Sequence, residues 1–327
     1  MSRVGSVCVL PGLDAAGHAP HALHGAERVW LEKNCYADLW IELLHAQALQ
    51  PLACLPFVFA LDFEGDQWTF FKPPLADLRA LYGIDVQELT VYRPQIEHAA
   101  EHLGAGKWLS LEVDAFWLPD TAGTDYRQAH SKTTIVLNEI DLPAQRLGYF
   151  HNAGYFVLDG EDFTRLFTLE TAADWLPPYA ELIRIDRVVR RPDAELRSMS
   201  SAGFAQHLAW RPASNPVARF RDRFDSDLPA LQRAGLAHYH RWAIAGVRQL
   251  GAAFELAALY LRWLRPEAEA EAEEAAAPFE LIAQRSKAFI LKAARAVNSG
   301  RPLDARPMLD EMTEAWGRGM AAASRLV

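Results

Sequence analysis

Two stretches of this chain have the clearest strand pattern: WLSLEVDAFWL at residues 108–118 and KTTIVLNEI at residues 132–140. Both are rich in β-branched and aromatic residues, and the first alternates between apolar and polar positions, as strands do. Shorter strands are predicted at 147–151 and 155–158, after polar or glycine-containing turns. Because short turns join consecutive strands, antiparallel pairing is expected. The middle of the chain is therefore predicted to be an antiparallel sheet.

A helix is predicted ahead of this sheet, at residues 35–49. Leu39, Leu43 and Leu44 recur there at helical spacing, and Pro51 closes the segment. Its apolar face is expected to pack on the sheet.

An irregular arm is predicted before that helix, over residues 1–34, because glycines and prolines punctuate it. His18, His21 and His24 are spaced three apart, which in principle suits a metal site. Since Gly17 and Pro20 disfavour a helix there, the three histidines are predicted to lie in an exposed loop.

The remaining segments complete the expected architecture. Further strands are predicted at 56–63, 67–71 and 88–92, and further helices at 75–82 and 94–103. From about Asp225 the apolar residues follow helical spacing, and the acidic stretch 267–277 is predicted as an exposed helix or a mobile linker. The fold class is predicted to be α+β, with one domain at 1–224 and a helical C-terminal bundle at 225–327.

Composition excludes several classes of partner. The chain has 327 residues and a formal net charge of -9, and such a surface repels nucleic-acid phosphates and anionic lipid. Three cysteines do not form a disulfide framework, which favours a reducing compartment. Neither a signal peptide nor an apolar run of membrane-spanning length is recognised. The chain is therefore predicted to be cytoplasmic, to bind neither nucleic acid nor membrane, and to use no cofactor or metal.

Cys35 is the first candidate for chemistry because it opens the predicted helix 35–49. The unpaired N–H groups and the positive end of a helix dipole stabilise a thiolate at that position. Asn34, directly before it, is a favourable cap residue. A cysteine so placed is predicted to be a nucleophile near neutral pH.

A histidine and an asparagine extend this candidate site. His130 stands directly before the strand 132–140, and Asn152 follows the next strand. A base next to a thiol, itself oriented by a third polar group, is the arrangement that activates a cysteine. Asp141 is the alternative to Asn152 as the group that orients the base, and His151 is the alternative to His130 as the base.

Residues 35–159 resemble the papain-like superfamily, and more narrowly the N-terminal domain of the butirosin-biosynthesis acyltransferase family. The resemblance lies in the order of cysteine helix, histidine strand and asparagine, and in the motif EVDAFWLP at 112–119. The whole chain is also similar to a family of uncharacterised bacterial proteins, some of which are associated with carrier-protein and amino-acid-activating genes.

The resemblance implies an activity. The chain is expected to move an acyl or aminoacyl group from a carrier-protein phosphopantetheine thioester to a small-molecule amine acceptor. Cys35 would take the acyl group, His130 would activate the thiol and then the amine, and Asn152 would orient His130. Two alternatives remain open: a cysteine peptidase or amidase, and a papain-like protein that binds a ligand without catalysis.

Four further residues are predicted to bind substrate. Asp114 is expected to pair with an ammonium group, and Trp117 and Tyr126 are expected to line the cleft. Papain-like peptidases carry a glutamine that helps to bind the oxyanion, and Val29 stands at that position here. Backbone N–H groups and the Asn34 amide are expected to bind the oxyanion instead. This departure disfavours proteolysis more than thioester chemistry, because a thiol is the better leaving group.

Overall fold

The computed structural model describes residues 5–168 and 179–327 of the chain. Its strands are β1 (Val7–Cys8), β2 (Phe63–Glu64), β3 (Gln67–Trp68), β4 (Asp85–Glu88), β5 (Trp108–Asp114), β6 (Lys132–Asp141), β7 (Arg146–His151), β8 (Gly154–Asp159) and β9 (Ala180–Arg184). Its α-helices are α1 (Cys35–Ala46), α2 (Leu75–Tyr82), α3 (Gln95–Gly104), α4 (Gly160–Thr168), α5 (Asp193–Ala209), α6 (Pro216–Ala234), α7 (Leu236–Ala245), α8 (Val247–Leu264), α9 (Glu269–Ser299) and α10 (Arg306–Ala323).

The chain forms two compact units from interleaved segments. The first unit contains Met1–Gly25, Cys35–Leu49 and Leu75–Arg190, and the second contains Ala26–Asn34, Gln50–Pro74 and Arg191–Val327. The first unit holds the large sheet, and the second holds helices α5 to α10. The predicted division at 224/225 falls inside α6. The helical part of the chain already begins at α5.

The first unit is built on an antiparallel sheet, as predicted. Within the described ranges this sheet has seven strands, in the order β4-β9-β5-β6-β7-β8, with β1 paired to β6. The four strands predicted in the middle of the chain are β5 to β8. Their register places Asp114 opposite Lys132 and Ile135 opposite His151. This register determines which side chains meet at the site described below.

Helices cover both faces of this sheet. On one face α1 packs against β6 and β7, and its residues Leu39, Leu43 and Leu44 are buried. On the other face α3 and α4 contribute to an apolar cluster with the inward residues of β5, β6 and β7, among them Leu111 and Leu137. Successive residues of a strand point to opposite faces. Since Leu111 of β5 faces α3 and α4, Ser110 and Asp114 point to the face that α1 covers.

The predicted strand 56–63 is wrong. Pro51–Ala60 is a 3₁₀ helix, opened by Pro51 and containing Pro56, and only the two-residue strands β2 and β3 follow it. Eight of its ten residues are buried, so the apolar run has no exposed face and no period that separates strand from helix. The predicted strand 88–92 is likewise displaced to β4.

The second unit confirms a helical C-terminal region but starts it earlier than predicted. Helix α5 begins at Asp193, where the sequence pattern had not indicated a helix. The acidic stretch 267–277 lies mostly within α9, which agrees with the exposed-helix alternative.

One helical stretch of the described chain, Leu236–Leu264, is long and apolar enough to cross a membrane by length and composition alone. The prediction that no segment approaches this length therefore needs correcting. Of its most apolar window, 78% is buried inside the protein, which is also how the core helix of a soluble protein behaves.

Candidate functional site

His130 and Asp114 form a hydrogen-bonded pair at one end of the sheet. β5 ends at Asp114, and after a connection over 115–131 the chain returns as β6 at Lys132, directly opposite Asp114. This hairpin closure brings His130 Nδ1 to 2.6 Å from Asp114 Oδ2. The other carboxylate oxygen accepts a hydrogen bond from the backbone N–H of Phe116. The acid therefore fixes both the imidazole and the start of the connection.

The imidazole of His130 stays accessible from solvent. Its side chain is 71% exposed, and within residues 5–168 and 179–327 its Nε2 atom has no hydrogen-bond partner. The ring stacks on Phe116, with centroids 4.4 Å apart and planes 12° from parallel. An imidazole oriented through Nδ1 and open at Nε2 has the form that a general base requires.

Trp117 and Tyr126 lie on the same connection. The Arg127 guanidinium lies over the Trp117 ring at 4.4 Å, and the Tyr126 hydroxyl donates to Asp162 at 2.9 Å. Arg127 also bonds Asp162. The structure thus brings together four of the predicted site residues, His130, Asp114, Trp117 and Tyr126, on one connection of the sheet.

Cys35 is the first residue of α1, as predicted, and it is partly exposed. The next residue, Tyr36, donates from its hydroxyl to Glu181 Oε2 at 2.8 Å, and Glu181 pairs with Ser110 of β5. Ser110 and Asp114 are four residues apart on one strand, so they point to the same face. The helix that begins at Cys35 and the carboxylate that holds His130 therefore share one face of the sheet.

Three other predicted residues lie elsewhere. Asn34 belongs to the second unit, where its buried amide nitrogen donates to Phe71 O at 2.9 Å and to Gln249 Oε1 at 3.3 Å. Asn152 occupies the turn between β7 and β8 with a positive φ of 45°, and its side chain has no hydrogen bond to any part of the chain that the structure describes. Asp141 ends β6, nine positions beyond Lys132, which is roughly 30 Å away along a strand.

His151, the alternative base, is buried on the opposite face of the sheet. Its Nδ1 lies 2.5 Å from Asp120 Oδ2, and its Nε2 lies 2.8 Å from Thr133 Oγ1. Both ring nitrogens are occupied and the side chain is 1% exposed, so substrate has no access to it in this conformation.

The histidines of the arm are not all exposed, contrary to prediction. His24 is buried, with Nδ1 2.7 Å from Glu42 Oε1 and Nε2 3.0 Å from Asp38 Oδ1. His18 bonds the second oxygen of Glu42 at 2.8 Å. Among the described residues no group of three or more His, Cys, Asp or Glu side chains has the arrangement of a metal site.

Sequence reasoning missed the role of Asp114 as the partner of His130. The signal was partial, because Asp114 lies in the predicted strand 108–118 and His130 precedes the next strand, so antiparallel pairing of the two strands can bring them together. The buried group of Asp120, His151 and Tyr149 had no such signal, since it joins a connection to a strand further along the chain.

These features define a class: an α+β unit in which a helix opening with a cysteine packs on an antiparallel sheet that carries a histidine–carboxylate pair, combined with a helical unit. The chain belongs to the DUF1839 family. The model of the DUF1839 N-terminal domain matches residues 19–185, and that of the DUF1839 C-terminal domain matches residues 193–325. This confirms the predicted similarity to an uncharacterised family. No curated protein matches the chain.

Proposed function

We propose that this protein is a papain-like, cysteine-dependent acyltransferase that uses Cys35 as nucleophile and His130 as base. The observation that carries the proposal is the His130–Asp114 pair, whose carboxylate points to the same sheet face as the helix α1 that begins with Cys35. A thiol at a helix N-terminus and an oriented, accessible imidazole are the two groups that nucleophilic acyl transfer needs.

The proposed reaction has two halves. His130 Nε2 takes the proton of the Cys35 thiol, and the thiolate attacks the carbonyl carbon of an acyl or aminoacyl thioester. The carrier thiolate leaves and takes the proton from the imidazolium, which leaves an acyl-cysteine. An amine then attacks this intermediate, gives its proton to His130 and releases the Cys35 thiol. One thioester and one amine yield one amide and one carrier thiol.

Asp114 is the third member in this proposal, in place of Asn152. Its carboxylate accepts a hydrogen bond from His130 Nδ1–H at 2.6 Å, which orients the ring and stabilises the imidazolium that forms in both halves. Trp117 and Tyr126, on the same connection, are the proposed lining of the acyl site. The proposal places the protein in the reducing cytoplasm, where the thiol persists.

The test is capture of the acyl group. The protein is incubated with a carrier protein loaded as an aminoacyl thioester, and its intact mass is measured before an amine is added. We expect one acyl mass on the wild type and on Cys8→Ala, a control that removes an exposed thiol. Cys35→Ala and His130→Ala are expected to remain unmodified.

Other outcomes separate the alternatives. Acylation that survives Cys35→Ala would contradict the proposal. Hydrolysis of peptides or amides that depends on Cys35, without capture from thioesters, would favour a peptidase or amidase. A Cys35 that iodoacetamide alkylates no faster than a small free thiol would favour a binding protein without catalysis.

A further inference from the structure

We propose that Asp120, His151 and Tyr149 are positioning residues that hold the connection 115–131, and with it the base His130, against the sheet. The inference rests on the proposed function, because it assigns these residues to the same site. None of the three reaches the solvent-exposed imidazole, so they act through the connection.

The three side chains form a buried group on the sheet face opposite α1. Asp120 lies in the short 3₁₀ helix Pro119–Thr121, within the connection. Its two carboxylate oxygens each accept one hydrogen bond, from His151 Nδ1 at 2.5 Å and from the Tyr149 hydroxyl. Burial and the nearby Asp120 charge raise the pKa of Tyr149 far above its usual range, so its phenol remains a donor.

Thr133 provides the hydrogen-bond partner of the second ring nitrogen of His151. Its hydroxyl lies 2.8 Å from His151 Nε2. A hydroxyl both donates and accepts, so it satisfies Nε2 whether the imidazole is neutral or protonated. Both ring nitrogens of His151 are therefore hydrogen-bonded, which suits a fixed anchor.

The connection itself is closed by its own hydrogen bonds. Ala115 N donates to Ser131 O at 2.8 Å, Arg127 N donates to Phe116 O at 3.1 Å, and the Ser131 hydroxyl donates to Asp125 at 2.6 Å. These bonds cross-link the connection 115–131. A contact that fixes one of its residues to the sheet therefore limits the movement of the whole connection.

Two acids tie this connection to the rest of the first unit. Asp162 of α4 bonds Tyr126 and Arg127, and its side chain is 13% exposed. The side chain of Asp120 is 5% exposed and contacts two buried residues of β7. Hydrogen bonds sheltered from water resist exchange with solvent better than exposed ones. Asp120 is therefore the better sheltered of the two acids.

The chain offers a matched pair of variants. Tyr149 and Tyr155 are both buried in the β7–β8 hairpin, but the Tyr155 hydroxyl meets Asn138 instead of Asp120. Tyr149→Phe and Tyr155→Phe each remove one buried hydroxyl, and Tyr149→Phe is expected to lower the melting temperature more because it removes a hydrogen bond to a carboxylate. Of these two variants, only Tyr149→Phe removes a hydrogen bond to Asp120. Asp120→Asn is a second variant that weakens the same contact with β7.

Two measurements are made on the full-length protein: hydrogen exchange of the amides in 115–131, and single-turnover acylation of Cys35 by the loaded carrier. For Tyr149→Phe and Asp120→Asn we expect exchange in 115–131 to rise about tenfold, and the maximal acylation rate to fall about tenfold at an unchanged half-saturating carrier concentration. Tyr155→Phe should change neither.

The results separate this inference from the proposed function. If the wild type is acylated and Tyr149→Phe behaves like Tyr155→Phe in both measurements, the positioning role is overturned. The same holds if the half-saturating concentration changes and the maximal rate does not. If the wild type takes no acyl group, the proposed function fails, and unchanged exchange in 115–131 would then also remove the anchoring role.

Discussion

His130 and Asp114 are sixteen positions apart in the chain, yet Nδ1 of the first lies 2.6 Å from Oδ2 of the second. The contact follows from the antiparallel pairing of β5 and β6, which places the end of one strand beside the start of the next. The carboxylate also accepts the N–H of Phe116, on whose ring the imidazole stacks. His130 is thus held by an acid and an aromatic ring, while its Nε2 makes no hydrogen bond to the described part of the chain.

The first prediction concerns the carboxylate. Asp114→Asn keeps the side-chain volume and an acceptor for Phe116, but it removes the charge that stabilises a protonated His130. We expect acylation of Cys35 to slow about 100-fold, within the usual contribution of general acid–base catalysis. Single-turnover mass spectrometry with a loaded carrier measures this rate, and a rate equal to that of the wild type would remove Asp114 from the mechanism.

The second prediction concerns Asn152, the other candidate third member. Asn152→Gly removes the amide and suits the positive φ of 45° at this turn, so the backbone is preserved. Because the Asn152 side chain makes no hydrogen bond within the described ranges, we expect the acylation rate to stay within about twofold of the wild type. A loss comparable to that of Asp114→Asn would restore Asn152 as the orienting residue.

The third prediction is a pH dependence of stability. Burial raises the pKa of Glu42, but hydrogen bonds from His18, His24 and the His21 N–H outweigh it and lower the pKa to about 2. The folded carboxyl is therefore more acidic than the unfolded one, and its contribution is complete above pH 4.5 and is lost as the pH falls towards 2.

Glu42→Gln tests this dependence. We expect it to lower the free energy of unfolding by about 3 kcal/mol at pH 7, with the difference from wild type shrinking steadily below pH 4.5. Urea titrations at several pH values measure it. Glu97→Gln is the control, since its half-exposed carboxylate lies 4.0 Å from Arg93 and should contribute under about 0.5 kcal/mol. A difference that does not depend on pH would contradict the assignment.

The fourth prediction compares two glycines of α10. A Cβ at Gly319 would lie 2.8 Å from the buried ring of Phe279, whereas a Cβ at Gly317 would meet nothing within 4 Å. Alanine favours a helix over glycine by roughly 1 kcal/mol. We therefore expect Gly317→Ala to raise the melting temperature and Gly319→Ala to lower it, as measured by thermal unfolding. Stabilisation by both would show that α9 and α10 pack less closely than described.

The fifth prediction concerns Asn138, a fully buried residue at the irregularity of register between β6 and β7. Its Oδ1 accepts from Leu10 N and from Trp108 Nε1, each at 2.9 Å, and its Nδ2 donates to Leu10 O at 3.1 Å. Asn138→Ala leaves these buried groups unsatisfied and should cost about 2–4 kcal/mol.

The arm that Asn138 holds should also be released. Limited proteolysis is expected to cleave Asn138→Ala near residues 5–10 faster than the wild type. Asn298→Ala removes an exposed asparagine of α9 and should leave both stability and cleavage unchanged. Equal cleavage of wild type and Asn138→Ala would show that other contacts hold the arm.

The strands β5 to β8 and the helix that begins at Cys35 follow from the sequence alone, because alternation and helical spacing are local patterns that survive in any packing. It also placed Asp114 in one of two neighbouring strands and His130 directly before the other, although it assigned the acid a different role.

Other features depend on contacts between segments that are distant in the chain. The run 51–60 is a 3₁₀ helix, and its burial on all sides leaves no pattern by which the sequence could separate strand from helix. His24 is buried because Asp38 and Glu42 form hydrogen bonds with both of its ring nitrogens. The contact of His151 with Asp120 depends on how the connection 115–131 folds over one sheet face. Such contacts join distant segments, and their energy depends on burial and partner geometry, which no local period records.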